Sequence, residues 1–260
     1  MQHLSPRQAR LNARANQTIA TTSGMSLGYA QANIVIVPKE YALDFYRFCT
    51  LHPKACPLLY VSEAGETSAA SLGEDIDIRT DLHGYHIIRN GTAELESSSI
   101  ADYWQDDFVT FYIGCSFSFE ESLMSHGINM PHITAGQNVP MYLTDRELTP
   151  AGVFSGHLVV SMRALASRDV VKAVQITSSM HRVHGAPVHI GDPTQIGIHN
   201  LEAPEFGDPP ALTDGMLPTF WACGVTTQQA IYNSKIPIAI THAPGKMLVT
   251  DIVNADLHFS

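Results

Sequence analysis

The sequence predicts an α/β fold: a mixed sheet flanked by helices, with a smaller two-layer α+β module inserted in it. Three observations predict it. Short β-branched and aromatic runs alternate with stretches of helical spacing. Two corners of the form strand, cysteine, helix occur in the two halves of the chain. Between them lies a self-contained strand–strand–helix–strand pattern. The main α/β domain is assigned to residues 1–135 and 200–260, and the small module to 136–199.

The first corner organises the rest. Phe108-Val109-Thr110-Phe111-Tyr112-Ile113 has the content of a buried strand. Gly114, Cys115 and Ser116 then permit a tight turn, and Ser118 with Glu121 reads as a capping box opening a helix that runs to about residue 125. Downstream, Phe220-Trp221-Ala222-Cys223-Gly224-Val225-Thr226 repeats the pattern with a one-residue gap, and Gln229 follows Thr226 at the same capping spacing. Free N–H groups and the helix dipole at each corner favour a carboxylate or phosphate. The plainer alternative is two ordinary strand-to-helix turns, each with a buried small thiol.

The remaining elements follow in order. Residues 5–15 read as a first helix and 17–31 as a Thr-, Ser- and Gly-rich loop. A strand at 32–38 stops at Pro38, and 40–50 has helical spacing through Tyr41, Phe45 and Phe48. A strand at 58–61 and a polar loop at 62–73 come next. Residues 76–82 alternate apolar and charged and read as extended. A strand at 85–89 meets Asn90-Gly91, a hairpin signal, and 100–107 reads as a short acidic helix. In the module, strands are expected at 138–143, 157–163 and 188–190, with an amphipathic helix at 167–177. A linker at 193–210 precedes the second corner, and 236–240 and 247–252 are the final strands.

Composition narrows the function. At 45% hydrophobic and 15% charged, the chain of 260 residues has the makings of a well-cored globule. A net charge of -10 argues against nucleic-acid binding. No apolar run reaches the roughly 20 residues that span a bilayer. The Arg-containing N-terminal stretch lacks a secretory core, and a short helix explains it better than a targeting peptide. Cys49, Cys56, Cys115 and Cys223 form no CxxC pair and no metal-ligand spacing, so reduced thiols, a cytoplasmic location, no metal and no cofactor are expected.

Several polar residues stand where chemistry is expected. His184 precedes a strand, His189 lies in it and Asp192 follows in a turn, a base with an orienting partner or else a Gly/Pro-shaped loop. His242 ends an apolar strand, the usual address of a catalytic group in an α/β sheet. Arg79 and Arg163 sit among apolar neighbours and require a carboxylate, from a partner side chain or from the substrate. Asn33, Asn138 and Tyr142 lie beside turns, where they would donate to a bound acid. No GxSxG elbow, Walker loop, GxGxxG or HExxH is present.

Gly114-Cys115-Ser116-Phe117-Ser118-Phe119-Glu120, Asn138-Val139-Pro140-Met141-Tyr142, Val183-His184-Gly185-Ala186-Pro187-Val188-His189-Ile190-Gly191-Asp192-Pro193, Trp221-Ala222-Cys223-Gly224-Val225-Thr226 and Thr241-His242-Ala243-Pro244-Gly245 occur in this order. Together they resemble the D-glutamate cyclase family, whose bacterial members are called hydro-lyases. The resemblance spans nearly the whole chain. It implies a two-domain α/β lyase that removes water, closing D-glutamate to 5-oxo-D-proline. The family pattern leads us to expect Arg at positions 131 and 143 and Asn at 145, where Pro131, Leu143 and Asp145 stand. That implies a changed acid preference or weak activity.

On that reading, Glu120 or His184 takes the amine proton and His242 protonates the departing water. The helix starts at Ser118 and Thr226 hold the oxyanion, and Arg79 or Arg163 clamps the α-carboxylate. Asn138, Tyr142 and Asp192 complete the substrate contacts. Cys115 and Cys223 line the site or, in the alternative of a racemase or epimerase, act as acid and base on two faces of one carbon. A third alternative is a non-catalytic binder of small carboxylic acids. The expected partner is a small acidic molecule, with no nucleic acid or membrane, and a homodimer is the expected assembly.

Overall fold

A computed structural model describes residues 4–210 and 212–257. Residues 1–3, the start of the Arg-containing N-terminal stretch, lie outside the described residues. Among the described residues, the α/β architecture is present as two antiparallel sheets with six α-helices packed around them. No helix among the described residues is long and apolar enough to cross a membrane.

The central strand of the larger sheet is β1 (Tyr29–Pro38), buried along nearly its whole length. On one side it pairs with β5 (Phe108–Gly114), from Ala32 opposite Gly114 to Pro38 opposite Phe108. On the other side its C-terminal half pairs with β10 (Ala239–His242) and its N-terminal half with β11 (Leu248–Val253). The edges are β2 (Leu58–Val61) beside β5, and β3 (Tyr85–Arg89) with β4 (Thr92–Ser97) beyond β10. Every pairing among the described residues is antiparallel, which refines the mixed sheet expected from the sequence.

The smaller sheet runs β6 (Met141–Glu147), β7 (His157–Ala166), β9 (Met216–Ala222), β8 (His189–Ile190). Its strand β9 comes from the segment 200–260, so residues 136–199 supply three of its four strands. The aliphatic and aromatic faces of the two sheets share one buried cluster, in which Val35, Phe45, Phe111 and Ile113 meet Tyr142, Val160, Met162, Phe220 and Ala222. Burial of this apolar surface is the dominant favourable contribution to the packing of one sheet on the other.

Helices start and stop for local reasons. α1 (Pro6–Arg14) is capped by Ser5, whose hydroxyl accepts from Gln8 N–H, with Pro6 at its first turn. α2 (Lys39–Leu51) turns Phe45, Phe48 and Cys49 inward. α3 (Phe117–Ser125) and α6 (Val225–Ser234) follow the two corners. The very short α4 (Pro131–Ala135) lies between α3 and β6, and α5 (Ser167–Ser178) packs on β7 and β9.

Two expected elements are absent. Residues 76–82 are turns and not a strand, because the segment folds on itself: Tyr85 Oη donates to Ile78 O at 2.7 Å and accepts from Leu82 N–H at 3.1 Å. The helix expected at 100–107 shrinks to a 3-10 turn, Ala101–Tyr103.

Candidate active site

The two cysteine corners meet. A partly open cleft is lined by Cys115, Ser116 and Phe117 from the first corner and by Cys223 and Val225 from the second. Asn33, Asn138, Gln228 and His242 add polar groups, and Met141, Phe206 and Met247 add apolar wall. Among the described residues, no Asp, Glu, Lys or Arg lines it.

Each corner is tied to its own sheet in the same way. Cys115 N–H donates to Gln31 O at 3.1 Å, and Ser118 Oγ accepts from Gln31 N–H at 3.0 Å. Cys223 N–H donates to Val159 O at 3.0 Å, and Thr226 Oγ1 accepts from Val159 N–H at 3.0 Å. Neither helix therefore carries the expected capping box: the N-caps are Ser116 and Gly224, without a side-chain cap bond. The hydroxyls that would have capped are spent on strand peptides. The N–H groups of Ser116, Phe117, Gly224 and Val225 consequently have no oxygen acceptor among the described residues. Two positive helix ends with free donors face one cleft, an arrangement that favours anions.

The corners are also tied across the sheets, reciprocally. Arg163 of β7 donates to Ser116 Oγ at 3.0 Å. Asn33 of β1 lies against Gly224, where a Cβ would fall 2.3 Å from its Nδ2. Gly224 is thus required by close approach.

Burial sets the protonation states. The thiol of Cys115 is pushed up to about 12 by burial, against the opposing pull of Phe117 N–H. Burial raises Cys223 to about 11, opposed by Val225 N–H. Both are protonated thiols at neutral pH. His242, 1% exposed, is lowered to about 4 by burial, and its Nδ1 accepts from Ile34 N–H at 3.1 Å. It is a neutral ring whose Nε2 lies 3.2 Å from Gln228 Nε2, and it has no imidazolium proton to give.

The other expected site residues fall elsewhere. Glu120 lies behind Ser116, not on the cleft lining. Burial alone would raise its carboxyl, but Arg163 at 2.5 Å and His132 at 2.9 Å overcome this and hold it at about 2. A carboxylate so committed is a poor base, and Arg163 is correspondingly engaged with Glu120, Ser161 and Ser116, with its guanidinium over Phe119 and Trp221. His184 is buried, faces Lys54 O at 2.9 Å through Nδ1, and is lowered to about 4 by burial. Asp192 is spent capping its own turn through Thr194, so His184 and Asp192 form no base-and-partner pair. Arg79 pairs with Asp77 at 2.8 Å. Tyr142 Oη donates to Leu201 O at 2.7 Å and so has no donor left for a ligand. Pro131, Leu143 and Asp145 do not line the cleft. Of the expected residues, Asn33, Cys115, Cys223, Asn138 and His242 do, although Asn33 Nδ2 already donates to Gly114 O, and Ser118 and Thr226 shape it by holding strand peptides.

Gln228 and Ser116 were not among the expected site residues. Gln228 had a readable signal: it follows Cys223 at the spacing at which Glu120 follows Cys115. Met141, Phe206 and Met247 had none, since an apolar lining residue reads like core. Among the described residues, no group of three or more His, Cys, Asp or Glu is placed to hold a metal ion.

Comparison with known proteins places these features in a family. The D-glutamate cyclase profile matches residues 109–251. A protein named "Putative hydro-lyase" from Burkholderia cenocepacia is 52% identical over 254 residues, 98% of this chain and 99% of that one. One of the same name from Rhizobium johnstonii is 52% identical over 253 residues, covering 97% and 94%. Another from Paraburkholderia phymatum is 52% identical over 254 residues, covering 98% and 99%.

Proposed function

The chain belongs to the D-glutamate cyclase family, and from that premise we propose that it removes water from a small carboxylic acid bound in the cleft, cyclising D-glutamate to 5-oxo-D-proline. The observation that carries this reading is the convergence of two unspent helix N-termini on one cleft without charged side chains.

The reaction needs little from the enzyme in net protons. The ammonium nitrogen loses two hydrogens, the C–N bond forms at the γ-carboxyl carbon, that carbon loses one oxygen, and the two hydrogens leave with it as water. A group that gives one proton and takes one back suffices. The thiols of Cys115 and Cys223 are the cleft's S–H groups, and Phe117 N–H and Val225 N–H stand ready to hold the transient thiolate. One helix start receives the α-carboxylate. The other faces the γ-carboxyl, where charge develops on oxygen as the nitrogen adds, and fixed donors stabilise it. Neutral His242 hydrogen-bonds in the same region.

A second reading has a specific observation in its favour. Both thiols line one cleft, which suits acid and base on opposite faces of an α-carbon, as in a racemase or epimerase. Incubation with D- and L-amino acids in deuterated water separates the two by mass. Cyclisation loses one water and keeps the α-hydrogen. A two-thiol racemase exchanges that hydrogen for deuterium and loses no mass as water. Neither change with any acid in the panel leaves a carboxylic-acid binder and overturns the lyase reading.

A further inference from the structure

The donors in the cleft account for an anion, but the cleft also holds acceptors that nothing satisfies. Asn33 is 3% exposed. Its Nδ2 donates to Gly114 O at 3.0 Å and Ile113 O at 3.4 Å, two atoms that only accept, so the orientation of the carboxamide is settled. No donor reaches its Oδ1 among the described residues. The side chain lies against the Gly224 backbone, where a Cβ would collide with it. Gln228 is likewise 3% exposed, its Nε2 lies 3.2 Å from both His242 O and His242 Nε2, and no donor reaches its Oε1 among the described residues. Asn138 Oδ1 is buried and has no partner. All three residues line the same cleft.

Of the three, Asn138 Oδ1 is the one fully buried without a partner, which costs about 1–3 kcal/mol, and the other two acceptors belong to residues lining the same cleft, so together they can receive a ligand or water. The matching group carries several N–H donors and needs no counter-charge. A primary ammonium has three. We propose that Asn33, Gln228 and Asn138 determine specificity by receiving the substrate's primary amine, so that the cleft takes an amino acid and rejects the same acid without its amine. The proposal rests on the carboxylic-acid reading above and adds the second recognition element.

The use of carboxamides in place of a carboxylate has a chemical consequence. A carboxylate beside an ammonium favours its charged form. Neutral oxygens hold the group while adding far less to its proton affinity, so the free amine needed for attack remains reachable. A site built to hydrogen-bond a substrate group rejects the analogue lacking it, because its own polar atoms are then left bare.

The test is calorimetric titration of the intact protein with D-glutamate, L-glutamate, pentanedioate and 2-hydroxypentanedioate, which share their carboxylate spacing. The better glutamate enantiomer is expected to bind about tenfold or more tightly than either amine-free acid. Gln228→Met should narrow that gap while leaving pentanedioate within about twofold of its wild-type affinity. Equal binding of amine and amine-free acids to the wild type overturns the proposal, as does a folded Gln228→Met variant that keeps the full gap, or no saturable binding at all. If Gln228→Met does not fold, the wild-type panel decides. Equal binding with water loss from glutamate defeats this inference alone, whereas selective binding without water loss or deuterium exchange defeats the proposed reaction alone.

Discussion

Ser118 and Thr226 occupy equivalent places at the two corners, and each hydroxyl accepts a strand N–H at 3.0 Å, Ser118 from Gln31 and Thr226 from Val159. Both side chains are buried. They hold the helix starts in place and are not available to cap the helices themselves.

Removal of either hydroxyl strands a buried peptide donor. Ser118→Ala and Thr226→Val should each destabilise the fold by about 1–3 kcal/mol, read from denaturant midpoints. Unchanged midpoints in both would show that the hydroxyls do not anchor the corners.

Glu120→Gln leaves the guanidinium of Arg163 buried with its ionic partner gone. Loss of one member of such a pair costs roughly 3–5 kcal/mol. The variant should unfold at much lower denaturant than wild type, whereas a catalytic base at this position would leave stability nearly intact and abolish turnover.

Acid should weaken the protein in two windows. His184 and His242 are held near 4, below the ordinary histidine value of 6.5, so the unfolded chain binds more protons between those limits. Their contribution is full above the unfolded value and falls as pH drops from about 6.5 towards 4. Glu120, held at about 2, contributes above the ordinary carboxylate value of 4.5, and that contribution is lost as pH falls from there towards 2. Denaturant midpoints measured from pH 7 downwards should decline through both ranges, and neither histidine ring should titrate by NMR above pH 5.

The cleft thiols should be sluggish in the free protein. With Cys223 at about 11 and Cys115 at about 12, the thiolate fraction at pH 8 is small. Iodoacetamide should label them on the order of a hundredfold more slowly than a free thiol, with rates still climbing above pH 9. Labelling at the rate of a small-molecule thiol would contradict the burial described here.

Gly224→Ala drives a methyl group into the Asn33 carboxamide. Asn33 must then give up its bonds to Ile113 and Gly114, so binding of the cleft's ligand should fall about tenfold or more, while the backbone at φ −61° takes Ala without strain. Gly114→Ala is more severe. Its Cβ would meet Arg182 O at 1.9 Å, a backbone atom that cannot swing aside, and the variant should be poorly folded by circular dichroism.

Much of this was legible in local pattern. The strands ending at Gly114 and Ala222, the small-residue turns and the helices after them lie where alternation and composition put them. Patterning misled at Ser118 and Thr226, since a capping box and a hydroxyl tied to a neighbouring strand have the same sequence signature. It misled again at residues 76–82, where charge alternation resembles a strand but Tyr85 draws the backbone into turns.

By itself the sequence determined the α/β class, the paired cysteine corners and the family, because these depend on residues near one another in the chain or on motifs in fixed order. Only the tertiary structure decided which polar groups face a ligand. Glu120 of α3 and Arg163 of β7 neutralise each other, and Asn33, Asn138 and Gln228 come from three distant segments to line one cleft. Such partnerships depend on how one sheet packs on the other, and no local periodicity records that.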